Sequence, residues 1–186
     1  MRRPIPTVLL AAALIAAPAV AALAPGAKAP DFTTEGARAG KAFTVRLSQQ
    51  LKRGPVVLYF FPAANTGGCN AEARAFADAI PKFKAAGATV IGMSADTLDT
   101  LKVFSAKECA GAFPVARAAP AVIAAYDVDY GKLVPINGGP ARQITKRTSY
   151  VIAPNGTIAY EHTGNEPMPH IANTLKAVQD WRAARR

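Results

Sequence analysis

Cysteine and histidine are scarce in this chain of 186 residues: Cys69 and Cys109 are the only thiols, and His162 and His170 the only imidazoles. That scarcity removes whole classes of chemistry. No ligand pair stands at metal-binding spacing, so neither a metal nor another cofactor is expected. No Cys-x-x-Cys pair is present, which argues against the adjacent dithiol of a protein thiol-disulfide oxidoreductase. Acidic residues are few as well, 12 against 22 Lys and Arg, giving a formal charge of +10. The basic residues are nevertheless scattered singly, paired as in Lys52-Arg53, or gathered at the end (Arg182, Arg185, Arg186). With no basic stripe interleaved with aromatics, nucleic acid is not expected as a partner, and the charge reads as solvated surface.

Long apolar runs are also lacking, with one exception at the start. Met1-Arg2-Arg3 leads into an almost uncharged Ala/Leu/Ile/Val stretch that reaches Ala24. A basic start, an apolar stretch and small residues at a boundary are the parts of a secretory signal, with cleavage after Ala21 or Ala24. Pro18 interrupts the run before it attains the roughly 20 residues of a spanning helix, and no cysteine stands at the boundary to take a lipid. The expectation is residues 1–24 as a signal peptide, a periplasmic or secreted protein, and no stable membrane association after cleavage. Residues 25–186 are the size of a single domain with a full core. Their balance stays basic at +8, 20 basic residues against 12 acidic ones.

Within that domain, Gly26 to Gly40 reads as an approach segment, and the alternation of Phe43, Val45 and Leu47 as a half-buried strand. The run Val56-Val57-Leu58-Tyr59-Phe60-Phe61, closed by Pro62, predicts a strand buried on both faces. Ala63 to Gly68 is a loop, and Phe76, Ile80 and Phe83 recur at helical spacing over about Cys69 to Ala86. Ala88 to Met93 predicts a second buried strand, making a strand–helix–strand unit with parallel strands. A helix over Thr97 to Ala110, a short strand near Phe113-Pro114-Val115 and a helical turn over Pro120 to Tyr126 follow. Residues 127–146 are loop-like. Ser149 to Ile152 and Thr157 to Tyr160 form a hairpin around Asn155-Gly156, and Ile171, Leu175 and Val178 mark a closing helix. The fold class is α/β, a central mixed sheet flanked by helices.

Cys69 stands where such a fold concentrates chemistry, at the C-terminal edge of a buried strand and the first turn of a helix. The thiolate is the nucleophile. Bringing an ordinary thiol from a pKa of about 8.5 to about 6 requires about 3.4 kcal/mol. A helix terminus supplies about 0.3–1 kcal/mol, up to about 2 when partly buried, so a neighbouring cation is required. In an oxidising compartment the plainer reading of two cysteines is a structural disulfide.

Pro62-x-x-x-Thr66-x-x-Cys69, directly after the apolar run, resembles the active-site motif of the peroxiredoxin family. Ala29-Pro30-Asp31-Phe32 resembles the family's opening, Gly92-Met93-Ser94 with Asp96 its second strand, Ala112 to Val115 its later strand, and Arg147 to Ile152 its arginine-bearing strand. The pattern is nearest the bacterioferritin-comigratory, peroxiredoxin Q-like branch. The resemblance implies a thioredoxin-like fold and a thiol-dependent peroxidase. In it Cys69 attacks a hydroperoxide, Thr66 holds the reacting atoms in line, Arg147 supplies the cation, Pro62 shields the thiolate, and Glu72 orients Arg147. It also implies a thioredoxin-like or other dithiol reductant, and a monomer. Two departures stand out: Gly67-Gly68 replaces the Pro-Gly of many relatives, and Arg74 occupies the place of a local resolving cysteine. Cys109 is then the candidate resolver, through an intramolecular disulfide, with resolution by an external thiol as the alternative.

Taken singly, each residue has a plainer role. Thr66 fits a helix N-cap, Pro62 a strand terminator, Glu72 a first-turn acid, Arg147 a surface cation beside Lys146, and Cys69 a half-cystine. A non-catalytic thioredoxin-like module stapled by Cys69–Cys109 and a protein thiol-disulfide oxidoreductase therefore stay open.

Overall fold

A computed structural model of the chain describes residues 23–185. The expected signal segment lies outside the described residues except for Leu23 and Ala24. Strands β1 (Thr33–Arg38) and β2 (Lys41–Arg46) open the domain, followed by α1 (Leu47–Leu51), β3 (Val56–Phe60) and α2 (Gly67–Ala85). Next come β4 (Thr89–Ser94), α3 (Leu98–Lys107), β5 (Val115–Arg117) and α4 (Pro120–Ala125). The small pair β6 (Val134–Pro135) and β7 (Ala141–Arg142) precedes β8 (Thr148–Ile152), β9 (Ile158–Thr163) and α5 (Pro167–Ala183).

Seven strands form one mixed sheet in the order β2-β1-β5-β4-β3-β8-β9. The expected parallel unit is there: β3 pairs with β4 from Val56↔Thr89 to Phe60↔Met93, with α2 as the crossover. All five residues of β3 are buried because each face is covered. Val57 and Tyr59 point into a core with Phe76 and Phe83 of α2, Leu101 and Phe104 of α3, and Ile171 and Val178 of α5. Val56, Leu58 and Phe60 point the other way, towards Leu47 and Leu51 of α1, Ile123 of α4, and Tyr126. Tyr59 stacks on Phe76 at 4.3 Å between ring centroids. It also fixes its neighbour on β4: a Cβ at Gly92 would meet the Tyr59 ring and hydroxyl at 2.8 Å. The position is held open for a large aromatic.

Three expectations change. The approach segment contains β1, which carries no apolar alternation because its buried residues are only Gly36 and Ala37. A Cβ at Gly36 would stand 2.8 Å from the Val115 carbonyl, so close strand packing removed the side chain that would have signalled a strand. Leu47 is not the end of β2 but the first residue of α1, while Val45 alone is buried in β2. The loop-like stretch 127–146 holds the two-residue strands β6 and β7, too short for a periodic signal.

Candidate active site

The strand order brings the site together at the C-terminal end of β3. Since β8 runs antiparallel to β3 with Phe60 opposite Thr148, the residue just before β8 arrives at the edge where β3 stops. That residue is Arg147, buried, and its Nη2 lies 3.6 Å from Cys69 Sγ. Lys146 next to it turns away and reaches the Asp127 carbonyl at 3.5 Å. Arg147 is held from two further sides: Nε donates to the Asn165 carbonyl at 3.1 Å, and Nη1 donates to Glu72 Oε2 in a short ion pair.

Helix α2 begins at Gly67, two residues earlier than expected, so Cys69 is the third residue of its first turn. The first intrahelical bond is Asn70 N–H to Thr66 O at 2.8 Å, which leaves the amides of 67–69 without a helical partner and directed at the site. Cys69 itself is only 2% exposed. A Cβ at Gly68 would stand 3.4 Å from Arg147 Nη2, so the guanidinium packs against helix backbone. Glu72 is fully buried three residues on, and its Oε1 has no hydrogen-bond partner among the described residues. Burial pushes its carboxyl up to about 8, against the opposing charge and hydrogen bond of Arg147.

Thr66 takes the N-cap position of α2, but its hydroxyl makes no capping bond; it donates to the Ala63 carbonyl at 2.9 Å. Pro62 is half-buried, two residues beyond the end of β3. Cys109 is fully buried, and it is not on α3, which ends at Lys107; it stands in the turn beyond. Burial, with the Glu108 charge next to it, pushes the Cys109 thiol far above the usual range. Both thiols are free and belong to the same apolar core, together with Tyr59, Phe61 and Phe104.

Three residues outside the motif hold the loop before Cys69. Asp96, buried after β4, accepts from Ala64 N–H at 2.8 Å and from the Ser94 hydroxyl at 2.7 Å, and pairs with Arg142 at 2.6 Å. Asn137 donates to the carbonyl of Asn65, a residue with φ of 61° that bends the loop in front of Thr66. Thr145 donates to the Phe61 carbonyl at 2.9 Å. The loop from Phe61 to Thr66 is thus tied by residues 32 to 84 positions downstream, a distance no local motif reports. Among the described residues there is no cluster of three or more acidic, His or Cys side chains able to hold a metal.

Known proteins are similar to this chain in sequence and in fold. Residues 25–161 match the AhpC/TSA family. Peroxiredoxin Q of Triticum aestivum, a chloroplastic protein, is 35% identical over 160 residues, covering 83% of this chain and 66% of the relative. The chloroplastic peroxiredoxin Q of Oryza sativa subsp. japonica is 33% identical over 166 residues with the same coverage. The chain thus spans just under two thirds of the length of these curated relatives. Among solved structures, peroxidoxin BcpB from Mycobacterium tuberculosis superposes with a TM-score of 0.72 at 28% identity, covering 84% of this chain and 96% of that one. The bacterioferritin comigratory protein of Xanthomonas campestris, studied for alkyl peroxide reduction activity, gives 0.66 at 25% identity, with 80% and 91% covered. With a thioredoxin-like mixed sheet, a buried cysteine at a helix start and an arginine against its sulfur, the chain belongs to the AhpC/TSA family of peroxiredoxins, in its peroxiredoxin Q-like, bacterioferritin-comigratory branch.

Proposed function

We propose that the protein is a thiol-dependent peroxidase that reduces hydrogen peroxide and organic hydroperoxides with Cys69. The observation that carries this reading is the Arg147 guanidinium 3.6 Å from Cys69 Sγ at the first turn of α2. Helix amides and a fixed cation together supply what a helix terminus alone does not. The Cys69 thiolate attacks the distal peroxide oxygen. The S–O bond forms, the O–O bond breaks, and the leaving alkoxide or hydroxide takes up a proton and departs as alcohol or water. Sulfur is oxidised by two electrons to the sulfenic acid and the peroxide is reduced by two. Arg147 stabilises the charge that moves onto the departing oxygen. Thr66, once its hydroxyl leaves Ala63 O, lines up the peroxide. Pro62 excludes water, and Glu72 with Asn165 O sets the direction of the guanidinium. Alkyl peroxide reduction by the Xanthomonas campestris relative supports the inclusion of organic hydroperoxides.

The sulfenic acid is resolved by Cys109. Its thiol sulfur attacks Cys69 sulfur, the S–S bond forms, the S–O bond breaks, and water leaves with the thiol proton. Because Cys109 is buried and its thiol is held protonated, this step waits for α2's first turn and the turn after α3 to open. A thioredoxin-like or other dithiol reductant then exchanges with the disulfide and is itself oxidised. The basic start and apolar run of residues 1–24 support export of the enzyme to the periplasm or beyond. Treating pre-reduced protein with one equivalent of hydrogen peroxide, then mapping cysteine peptides by mass spectrometry, tests the cycle. The expected products are a trappable sulfenic acid on Cys69 and a Cys69–Cys109 linkage. A sulfenic acid that persists without that linkage assigns resolution to an external thiol, and an unmodified Cys69 contradicts the peroxidase.

A further inference from the structure

His170 has no part in the chemistry above, yet it is fully buried and hydrogen-bonded at both ring nitrogens. From the first turn of α5 its Nδ1 meets Ser149 Oγ at 2.8 Å, and its Nε2 meets the Gly164 carbonyl at 3.0 Å. Gly164 in turn donates its N–H to the Arg147 carbonyl at 3.1 Å. The next carbonyl, of Asn165, accepts from Arg147 Nε. The imidazole therefore spans from β8, two residues after Arg147, to the turn whose backbone grips that arginine at both its main chain and its side chain.

We propose that His170 is a positioning residue for Arg147: as a neutral ring protonated on Nε2, it braces the Gly164-Asn165 turn so that Asn165 O aims the guanidinium at Cys69. The tautomer follows from the partners. A carbonyl only accepts, so Nε2 must donate to Gly164, which leaves Nδ1 to accept from the Ser149 hydroxyl. The groups facing the ring favour the neutral form. Burial, and after it the nearby His162 (ring centroids 4.6 Å apart) and Arg147, push His170 down to about 4, against the raising effect of the Gly164 bond. A charged ring would lose its acceptor for Ser149 and add a cation beside Arg147. Without the brace, the turn is held on this side by the Thr148–Thr163 pair and its main-chain bond to Arg147, neither of which fixes the Asn165 carbonyl that directs the guanidinium.

This inference rests on the peroxidase reading for its meaning but has a readout of its own. The pair of variants is His170→Gln, whose amide nitrogen reaches the place of Nε2, and His170→Asn, whose amide matches only the Nδ1 side. The probe is the pH profile of Cys69 alkylation by iodoacetamide, read by peptide mass spectrometry, beside the single-turnover rate with hydrogen peroxide. His170→Asn is expected to move the alkylation midpoint up by about one pH unit, a roughly tenfold loss of thiolate at pH values below both midpoints, and to slow peroxide reduction there in proportion. His170→Gln is expected to restore both. An unchanged midpoint in His170→Asn, or equal losses in the two variants, overturns the brace. Should His170→Asn fail to fold, nitrogen-15 NMR of the wild-type ring decides: a proton on Nδ1 overturns the proposal, and one on Nε2 supports it. A midpoint shift in a protein that consumes no peroxide would leave the brace standing and remove the peroxidase.

Discussion

Arg147 joins two groups on one face of α2, the Cys69 sulfur and the Glu72 carboxyl, to the Asn165 carbonyl in the turn after β9. Its planar fork serves all three at once, and a lysine has one charged point in place of the fork. Arg147→Gln is expected to lower the single-turnover rate with peroxide by about 10²–10³-fold, the cost of one preorganised donor at a developing charge. Arg147→Lys should recover only part of this, and stopped-flow mixing with hydrogen peroxide measures both. Equal rates in the wild type and Arg147→Gln would show that the cation has no part in the reaction. At this scale the sequence was legible where spacing is short and chemistry distinctive, as in Pro62, Thr66 and Cys69. Arg147 was legible only through its place before a hairpin strand. Asp96 and Asn137 were not legible in these roles, because each acts on backbone atoms of a remote loop, and His170 was not, because no residue type advertises a bond to a turn carbonyl.

The first turn of α2 is the element on which the proposed cycle depends, because in it Cys69 leaves that turn to meet a buried partner. Gly67 opens that turn with free space around the place a Cβ would take, and Thr66 before it is extended at φ −108°, ψ 149°. Both are conditions under which proline fits the first helical position. Gly67→Pro is therefore expected to raise stability by about 0.4–1 kcal/mol through the unfolded chain, measured by urea denaturation, and to slow Cys69–Cys109 formation after peroxide. A second tie acts on the same movement: Arg74 of α2 pairs at 2.7 Å with Glu108, next to Cys109. The loop ahead of α2 depends on Asp96 in the same way. Asp96→Ala leaves Ala64 N–H, Ser94 and the half-buried Arg142 without their acceptor, and is expected to cost about 2–4 kcal/mol. The central apolar elements β3, β4 and α2 were readable to within about two residues, and α5 was readable as a helix from Ile171, Leu175 and Val178 without its ends. β1 was not, because close packing at Gly36 demanded small residues, and the end of α3 before Cys109 was set by the left-handed turn at Ala110 and Gly111.

Across the whole molecule, the two buried titrating groups around Arg147 give stability opposite slopes with pH. His170 in the fold titrates at about 4, below its ordinary value of 6.5, so between these values the unfolded chain binds a proton that the native protein refuses. Its contribution is complete above 6.5 and is lost as pH falls towards 4. Glu72 is raised from 4.5 to about 8, so its contribution is complete below 4.5 and is lost as pH rises through 8. Urea midpoints taken from about pH 4 to about pH 9 are expected to lose the acid-side decline in His170→Gln and the alkaline-side decline in Glu72→Gln. Parallel profiles for wild type and both variants would contradict this assignment. The mixed sheet was legible as a class because its central strands are continuous apolar runs, whereas the placement of Arg147 opposite the end of β3 needed the register Phe60↔Thr148, which only the assembled sheet supplies. The most direct test of the account is steady-state hydroperoxide consumption by the pre-reduced protein with a dithiol reductant, wild type against Cys69→Ser. The account predicts rapid consumption that the substitution abolishes; equal, negligible consumption by both proteins would contradict it.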